Sequence, residues 1–216
     1  MKEVRPLPFD QAKHWFLKKH YAHRIPSVSF AFGLYIDGIL TGVVSYGTPA
    51  SSTLLSGVCG EEYSALVMEL NRLIIDEGAP KNSASFLVSR SLRLLPKPRI
   101  IVSYADSGQG HVGYVYQACN FLYTGLSSKF TDPKVKGLEH QHHATYANGL
   151  TNEELRDKYG DRLYFVERPR KHRYIYFVGC KNGIIASLNY PILPYPKGES
   201  KRYDSGEELP KQLLLV

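Results

Sequence analysis

The chain has 216 residues, of which 43% are hydrophobic, and its formal net charge is +7. This length and apolar content predict one globular domain, and no run of about 18 apolar residues is present that could span a bilayer. The N-terminal stretch lacks the apolar core of a signal peptide, and the three cysteines are too widely spaced for a disulfide framework or a zinc site. We therefore expect a cytoplasmic protein without a membrane partner, whose basic charge favours a nucleic acid or a phosphate-bearing cofactor.

Local patterns in the first third of the chain predict a helix, a hairpin and a loop. The helix covers residues 10–23 and ends before Pro26. Two apolar runs follow, joined by Asp37-Gly38, a pair typical of a hairpin turn. Residues 48–63 are rich in serine and glycine and predict a loop.

Residues 70–125 alternate between apolar strands and helices. Strands are predicted at 70–75, at 99–106 and from Phe121, with helical patterns between them. The short links predict a mostly parallel sheet with helices packed on it, and such sheets bind ligands at the carboxyl ends of their strands.

The last third predicts a helix, two strands and an extension. Thr151 followed by Glu154 is typical of a capped helix start, and strands are predicted at 163–166 and 174–178. We expect a catalytic domain at residues 1–180 and an extended C-terminal segment at 181–216 that packs on the domain or trails from it.

Arg72 is the first candidate site residue. Strand alternation in the string ELNR places Leu70 and Arg72 on one face and Glu69 and Asn71 on the other. A charge inside an apolar strand is costly unless it is paired or functional, and a guanidinium is suited to a phosphate or carboxylate. The alternative is a structural ion pair with Glu69 or Asp106.

Two strand ends supply further candidates. The predicted helix start at Asn82, Ser83 and Ser85 offers backbone N–H groups to an anion, although an N-cap alone explains one of these residues. Asp106 ends a strand beside Gly108, which predicts either a catalytic carboxylate or an N-cap.

Histidines mark two other segments. His20 and Tyr21 follow the first helix, where they can act as a base or as metal ligands, or merely sit at a helix C-terminus that favours cations. His140, His142 and His143 suggest metal, but the lack of converging ligands favours a surface loop.

A basic turn completes the candidates. We expect it to contact the phosphates of double-stranded DNA, the alternative being a solvated surface turn. Its side chains are Arg168, Arg170, Lys171 and Arg173.

Longer strings resemble the phage Mom family of DNA-modifying proteins, which belong to the GNAT-fold superfamily. The likeness covers about residues 10–180 and is carried by HY at 20–21, GVVSYGTP at 42–49, ELNRL at 69–73, KNSASF at 81–86, SYAD at 103–106, GHVGYVYQACNFLYTG at 110–125 and KHRYIYF at 171–177.

The resemblance implies a GNAT-like mixed α/β fold with a central β-sheet flanked by helices. It implies a transferase that adds an acetamido (carbamoylmethyl) group at N6 of adenine in DNA and so protects phage DNA from restriction. By position, the family's functional residues are His20, Tyr21, Arg72, Ser85, Asp106 and Tyr116.

The resemblance also implies a donor and a metal. The donor is acetyl-CoA or another acyl or aminoacyl compound, held by Arg72 and the helix start at Asn82, Ser83 and Ser85. Iron is implied as well, with His20, Tyr21 and Tyr116 as its ligands. Residues 78–85 read GAPKNSAS where ordinary GNAT enzymes carry an R/Q-x-x-G-x-G/A loop, so the donor stays open.

Two other functions remain open at this point. One is a GNAT-like acetyl-CoA-dependent N-acyltransferase acting on an amine of a small molecule, protein or RNA. The other is a non-catalytic DNA-binding protein, against which the polar residues at the strand ends argue. A DNA-modifying enzyme additionally requires that its target base leave the stack.

Overall fold

The computed structural model describes residues 1–20, 23–139, 143–147 and 149–198. Within these residues the strands are β1 (Lys2–Pro6), β2 (Phe30–Ile36), β3 (Ile39–Gly47), β4 (Val67–Ile75), β5 (Arg99–Asp106), β6 (Leu122–Leu126), β7 (Phe130–Val135), β8 (Leu163–Arg168) and β9 (Lys171–Val178). The α-helices are α1 (Phe9–Lys18), α2 (Ser52–Cys59), α3 (Ser83–Leu94), α4 (Tyr114–Ala118), α5 (His143–Ala147), α6 (Asn152–Tyr159) and α7 (Asn182–Ala186). No helix in these ranges is long and apolar enough to cross a membrane.

A seven-stranded central sheet runs in the order β1-β2-β3-β4-β5-β9-β6. The mixed α/β class expected from the sequence is confirmed, but the mostly parallel sheet is wrong. Among the described strands only β4 and β5 are parallel neighbours. Strand β9 enters from the far end of the chain and lies antiparallel between β5 and β6, so local strand–helix–strand order did not determine which strands pair.

Helices cover both faces of this sheet. Leu87 and Val88 of α3 and Tyr116 of α4 pack with Leu70 and Ala105 on one face. The opposite face carries α1 and α2, whose apolar residues pack against β-strand residues in two clusters. We call these the α3–α4 face and the α1–α2 face.

Strand β4 contains a β-bulge that changes which side chains share a face. Ser45 pairs with Arg72 and Tyr46 with Leu70, so Asn71 is the extra residue. Leu70 packs in the α3–α4 cluster, whereas Ile74 packs against α1. Arg72 therefore lies on the α1–α2 face with Glu69. The expectation that Arg72 shares a face with Leu70 is wrong, because a bulge reverses the alternation.

The loop expected at residues 48–63 is wrong as well. Helix α2 forms there, and Leu54, Leu55, Val58 and Cys59 pack on the α1–α2 face. The spacing of these four residues is helical, but the surrounding serines and glycines obscured it. The first helix ends at Lys18, before the expected residue 23.

Other local expectations are confirmed. Asp37 and Gly38 both have positive φ, of 49° and 83°, as a tight hairpin turn between β2 and β3 requires. Thr151 and Glu154 form a reciprocal capping box at the start of α6.

A separate two-stranded unit is inserted in the chain between two strands of the central sheet. Strands β7 and β8 pair antiparallel in the insertion between β6 and β9, and α5 and α6 pack on them. We call the β7–β8 pair the ribbon.

The described part of the C-terminal segment packs on the domain. Leu193 N donates to Tyr123 O at 2.9 Å, and Tyr195 OH donates to Phe121 O at 2.8 Å. The boundary at residue 180 stays a prediction, and residues 199–216 lie outside the described ranges.

Candidate active site

The central sheet splits at the carboxyl ends of its two parallel strands. Pairing between β4 and β5 runs from Val67↔Ile100 to Leu70↔Ser103 and then stops, although β4 continues to Ile75 and β5 to Asp106. The buried Ser103 Oγ donates to Leu70 O at 3.0 Å and fixes the last paired position. Beyond it the strands diverge and leave a cleft.

Five polar side chains meet at this cleft on the α1–α2 face. Strand alternation places Asp106 on the face of Tyr104, and Lys171 on the face of Ile175. Glu69 and Arg72 join them through the bulge in β4. His20 follows α1 and is 8% exposed. We call His20, Glu69, Arg72, Asp106 and Lys171 the charged cleft.

Burial alters the protonation of two of these groups. It raises the pKa of Glu69, and the positive charges of Lys171, Arg72 and Arg24 offset part of that rise. Burial lowers the pKa of His20 to about 3, and Arg72 adds to the effect. His20 is therefore a neutral imidazole at physiological pH, whereas the carboxyl group of Glu69 has an increased affinity for a proton.

Asp106 both caps a turn and pairs with a lysine. Its Oδ1 accepts from Gly108 N at 2.9 Å, and its Oδ2 lies 3.3 Å from Lys171 Nζ. The N-cap interpretation of Asp106 is confirmed, and its catalytic role stays a prediction. The cap fixes the side chain, and the fixed carboxylate positions the ammonium of Lys171.

Arg72 ties two segments together beside the cleft. One terminal nitrogen donates to Asn71 O at 2.6 Å and the other to Arg24 O at 3.2 Å. The residues after α1, next to His20, are thus anchored to β4 through this guanidinium.

The start of α3 lies on the other side of the sheet. Asn82 has a left-handed backbone and makes no side-chain cap. Ser83 Oγ donates to Pro80 O at 2.7 Å, and Ser85 Oγ donates to Asn82 O at 3.1 Å. These hydroxyls tighten the helix start. Ser83 N donates to Pro80 O at 3.2 Å, and because no side chain caps the helix, the N–H groups of Ala84 and Ser85 are the ones suited to receive an anion.

Tyr116 also belongs to the α3–α4 face. It is 9% exposed, and its ring centroid lies 5.3 Å from that of Tyr174 and 5.4 Å from that of Phe121. The expected functional residues therefore divide between two faces. His20, Arg72 and Asp106 approach the split sheet from one face, and Ser85 and Tyr116 from the other.

The described residues contain no group of three or more His, Cys, Asp or Glu side chains that could hold a metal ion. His20 and Tyr116, two of the three expected iron ligands, approach the sheet from opposite faces. Tyr21, the third, and His140 and His142 lie outside the described ranges, so the expectations that fall on them stay predictions.

The expected DNA-contacting side chains are mostly engaged within the protein. Arg170 donates to Ser127 O and Leu126 O, and Arg173 donates to Thr124 Oγ1 and Thr124 O. Lys171 pairs with Asp106. Arg168 is exposed and pairs with Asp132.

Sequence reasoning missed Glu69 as a site residue and assigned Lys171 to DNA alone. A glutamate inside an apolar strand was a usable signal for the first. The role of Lys171 could not be predicted locally, because it depends on the pairing of β9 with β5. That pairing places Lys171 opposite Asp106, which lies 65 positions earlier in the chain.

Comparisons with known proteins give fold neighbours and a family. A GNAT acetyltransferase from Bacillus cereus aligns with 82% of this chain and 97% of its own, at 13% identity and a TM-score of 0.44. The ribosomal-protein-S18-alanine N-acetyltransferase from Escherichia coli aligns with 84% of this chain and 97% of its own, at 9% identity and a TM-score of 0.47.

The sequence relatives extend over most of the chain. The methylcarbamoylase Mom of Escherichia phage Mu is 28% identical over 189 residues, which cover 83% of this chain and 77% of the phage protein. The model of the Mom protein family matches residues 2–197. This chain therefore belongs to the Mom protein family.

Proposed function

We propose that this chain is a DNA-modifying transferase that adds an acetamido (carbamoylmethyl) group at N6 of adenine and protects phage DNA from restriction. Family membership and the Mu relative, named a methylcarbamoylase, support a group transfer of this type. The observation that carries the proposal is the charged cleft, where the partly buried carboxyl group of Glu69 lies among cations at the carboxyl end of a split sheet.

Glu69 is the residue suited to accept the proton that N6 must lose. The N6 lone pair of adenine is delocalised into the ring, so transfer to this nitrogen requires removal of a proton as the new bond forms. A buried carboxylate with a raised pKa is a stronger base than an exposed one. Lys171, held by Asp106, can stabilise negative charge that develops during the transfer.

His20 and Arg72 serve different roles in this proposal. The neutral imidazole of His20 can exchange a hydrogen bond with the base without adding a charge to the cleft. Arg72 acts as a positioning residue, because its guanidinium holds the segment after α1 against β4.

An acyl-CoA or related donor fits the opposite side of the cleft. β4 beyond Leu70 is not paired with β5, so an extended ligand can enter between the strands. The α3 start at Asn82, Ser83 and Ser85 would receive a phosphate group, and Tyr116 lies on the same face. For the carbamoylmethyl product, the donor must carry the leaving group on the methylene carbon. N6 forms its new bond to that carbon, the leaving group departs with the electrons of the bond that breaks, and Glu69 takes the N6 proton. An acetyl thioester would instead give N6-acetyladenine.

Mass spectrometry of DNA tests this proposal. The chain and its Asp106→Asn variant are expressed in separate bacterial cultures, the DNA is digested, and intact nucleosides are analysed. We expect a heavier deoxyadenosine with the wild type and none with the variant, whose Lys171 has lost its carboxylate partner. Unmodified DNA from cells that contain abundant folded wild-type protein would overturn the proposal.

A second candidate is an acetyl-CoA-dependent N-acyltransferase on a small-molecule, protein or RNA amine. The split between β4 and β5 favours it equally, because that opening receives a donor whatever the acceptor is. Release of free thiol from acetyl-CoA on incubation with polyamines, peptides or RNA, without any modified deoxyadenosine in the DNA experiment, would favour this function.

A further inference from the structure

The ribbon leaves the central sheet directly beside the charged cleft. Ser127 N donates to Lys171 O at 2.8 Å, and Lys171 N donates to Ser127 Oγ at 3.0 Å. Where the chain returns to the central sheet, Arg170 O accepts a hydrogen bond from Ser107 Oγ. Both ends of the insertion are thus fixed against the lysine that pairs with Asp106, so the position of the ribbon relative to the cleft is set.

The two faces of the ribbon differ in what covers them. Helix α6 reaches the face that contains the buried Val135, where Arg156 lies 5.6 Å from the ring centroid of Phe165. The strand register places Phe130, Asp132, Lys134, Tyr164, Val166 and Arg168 on the other face, where Asp132 pairs with Arg168. Phe130 is 58% exposed and Val166 is 42% exposed. This second face is open at the end that carries Phe130, Val166 and Arg168, whereas Asp132, Lys134 and Tyr164 are partly buried. We call the exposed end the open face.

The open face combines the exposed ring of Phe130 with the neighbouring cations Lys129 and Arg168, the second of which is paired with Asp132. Phe130 follows the exposed Lys129 and lies opposite the exposed Arg168 at the end of the ribbon nearest the cleft. Interleaved aromatic rings and cations are suited to a nucleic acid, whose bases stack on rings and whose phosphates attract the charges. A phenylalanine exposed at such a place is also of the type that other proteins insert between base steps.

The position of Phe130 matches a requirement of the proposed reaction. Adenine N6 cannot enter the charged cleft while the base is stacked in a duplex. Phe130 is three residues beyond Ser127, so their Cα atoms are at most about 11 Å apart. Its ring is therefore near the point where a base would leave the helix to enter the cleft.

We propose that Phe130 inserts into the stack of duplex DNA in place of the adenine that enters the charged cleft, while the exposed Lys129 contacts a flanking phosphate. This inference rests on the proposed function and deepens it, because it assigns the step that makes the base accessible. The occupant of the open face is accordingly duplex DNA.

Two synthetic duplexes test the role of Phe130. A position modified by the wild type is first mapped on plasmid DNA, and that adenine is then placed either opposite thymine or opposite an abasic site. We expect Phe130→Ala to slow modification of the paired adenine about tenfold or more, because the base must then unstack unaided. On the abasic duplex, where little pairing must be broken, the variant should remain within about twofold of the wild type.

Two further variants serve as controls. Phe130→Leu keeps an apolar wedge and should restore most of the rate on the paired duplex. Phe9→Ala removes a phenylalanine of similar exposure, 46%, from the far end of α1 and should leave both rates unchanged.

Binding gives a readout that does not depend on transfer. With 2-aminopurine at the mapped position, the wild type should increase its fluorescence by unstacking it, and Phe130→Ala should not.

Three results would overturn the inference. Equal losses on both duplexes would show that Phe130 supports the fold or general binding. A change in oligomeric state of Phe130→Ala, measured by analytical ultracentrifugation, would show that the open face contacts a second copy of this chain. A wild type that modifies neither duplex nor plasmid DNA would overturn the proposed function itself, and this inference with it.

Discussion

Arg72 shows how a single side chain can connect the fold to the site. Its guanidinium reaches two carbonyl oxygens that belong to different segments, Asn71 O and Arg24 O. It also lies close enough to Glu69 and His20 to influence the pKa of both. The substitution Arg72→Lys keeps the charge but removes the planar guanidinium. It therefore separates the hydrogen bonds of Arg72 from its electrostatic effect on Glu69 and His20.

We expect Arg72→Lys to lose most of its activity although the charge is retained. An ammonium cannot donate to both carbonyls in the planar arrangement of a guanidinium, so the segment beside His20 loses its anchor. Loss of one or two such hydrogen bonds should lower the free energy of unfolding by about 1–3 kcal/mol. Urea unfolding and modification assays on the same preparation measure both effects. Arg93→Lys, at an exposed position in the last turn of α3, is the matched control, and wild-type behaviour of Arg72→Lys would contradict the anchoring role.

His20 should make the protein sensitive to acid. Its folded-state pKa is about 3 and its unfolded-state pKa about 6.5, so below pH 6.5 the unfolded chain binds a proton that the folded chain does not. The contribution of His20 to the free energy of unfolding is fully present above pH 6.5 and is lost as the pH falls toward 3. Between pH 7 and pH 5 this loss is about 2 kcal/mol.

His20→Gln should remove that part of the pH dependence. Urea unfolding at pH 7, 6 and 5 should give a shallower loss of stability for His20→Gln than for the wild type. His14→Gln, which removes an exposed histidine from the middle of α1, should keep the wild-type slope. Parallel slopes for wild type and His20→Gln would mean that His20 titrates normally.

At the scale of elements, the bulge in β4 determines the composition of the site. Asn71 holds it from both sides, since its Nδ2 donates to Ser27 O at 2.7 Å and its Oδ1 accepts from Ser45 Oγ at 2.7 Å. The absence of a side chain at Gly47 permits this, because a Cβ there would lie 2.0 Å from Ser27 O. The bulge is what brings Glu69 and Arg72 to one face.

We expect Asn71→Ala to weaken both the fold and the activity. It removes two hydrogen bonds of a partly buried amide, which should cost about 1–3 kcal/mol in the free energy of unfolding. It also frees β4 to return to a regular register, which would turn Arg72 away from Glu69. Asn152→Ala, at the exposed first residue of α6, should change stability by less than about 0.5 kcal/mol. An Asn71→Ala variant with full activity would show that the bulge does not depend on this amide.

At the scale of the whole molecule, the sequence predicted features that are local and missed those that are not. The hairpin turn at Asp37-Gly38, the α3 start after Asn82 and the capping box at Thr151 follow from neighbouring residues, and all three form. The insertion of β9 between β5 and β6 depends on contacts between distant parts of the chain. So does the pair of Asp106 with Lys171.

The candidate site was predicted only in part for the same reason. Arg72, Asp106 and His20 were chosen as individual residues in suitable local contexts, and they meet at one cleft. Glu69 was assigned to the opposite face of β4 from Arg72, because alternation cannot reveal a bulge that is set by a partner strand. Lys171 belongs to the site because β9 pairs with β5, and local sequence patterns do not indicate this pairing.

The central claim is that the charged cleft transfers a group to adenine with Glu69 as the base, and Glu69→Gln tests it most directly. Glutamine keeps the shape of the side chain but cannot accept the proton, so the rate should fall about 100-fold or more. The fold should persist, because a neutral group replaces a buried charge. Quantitative mass spectrometry of modified deoxyadenosine, with purified proteins on the same DNA, should show product with the wild type and with Glu62→Gln, which alters an exposed carboxylate, but almost none with Glu69→Gln. Modification at the wild-type rate by a folded Glu69→Gln protein would contradict the account.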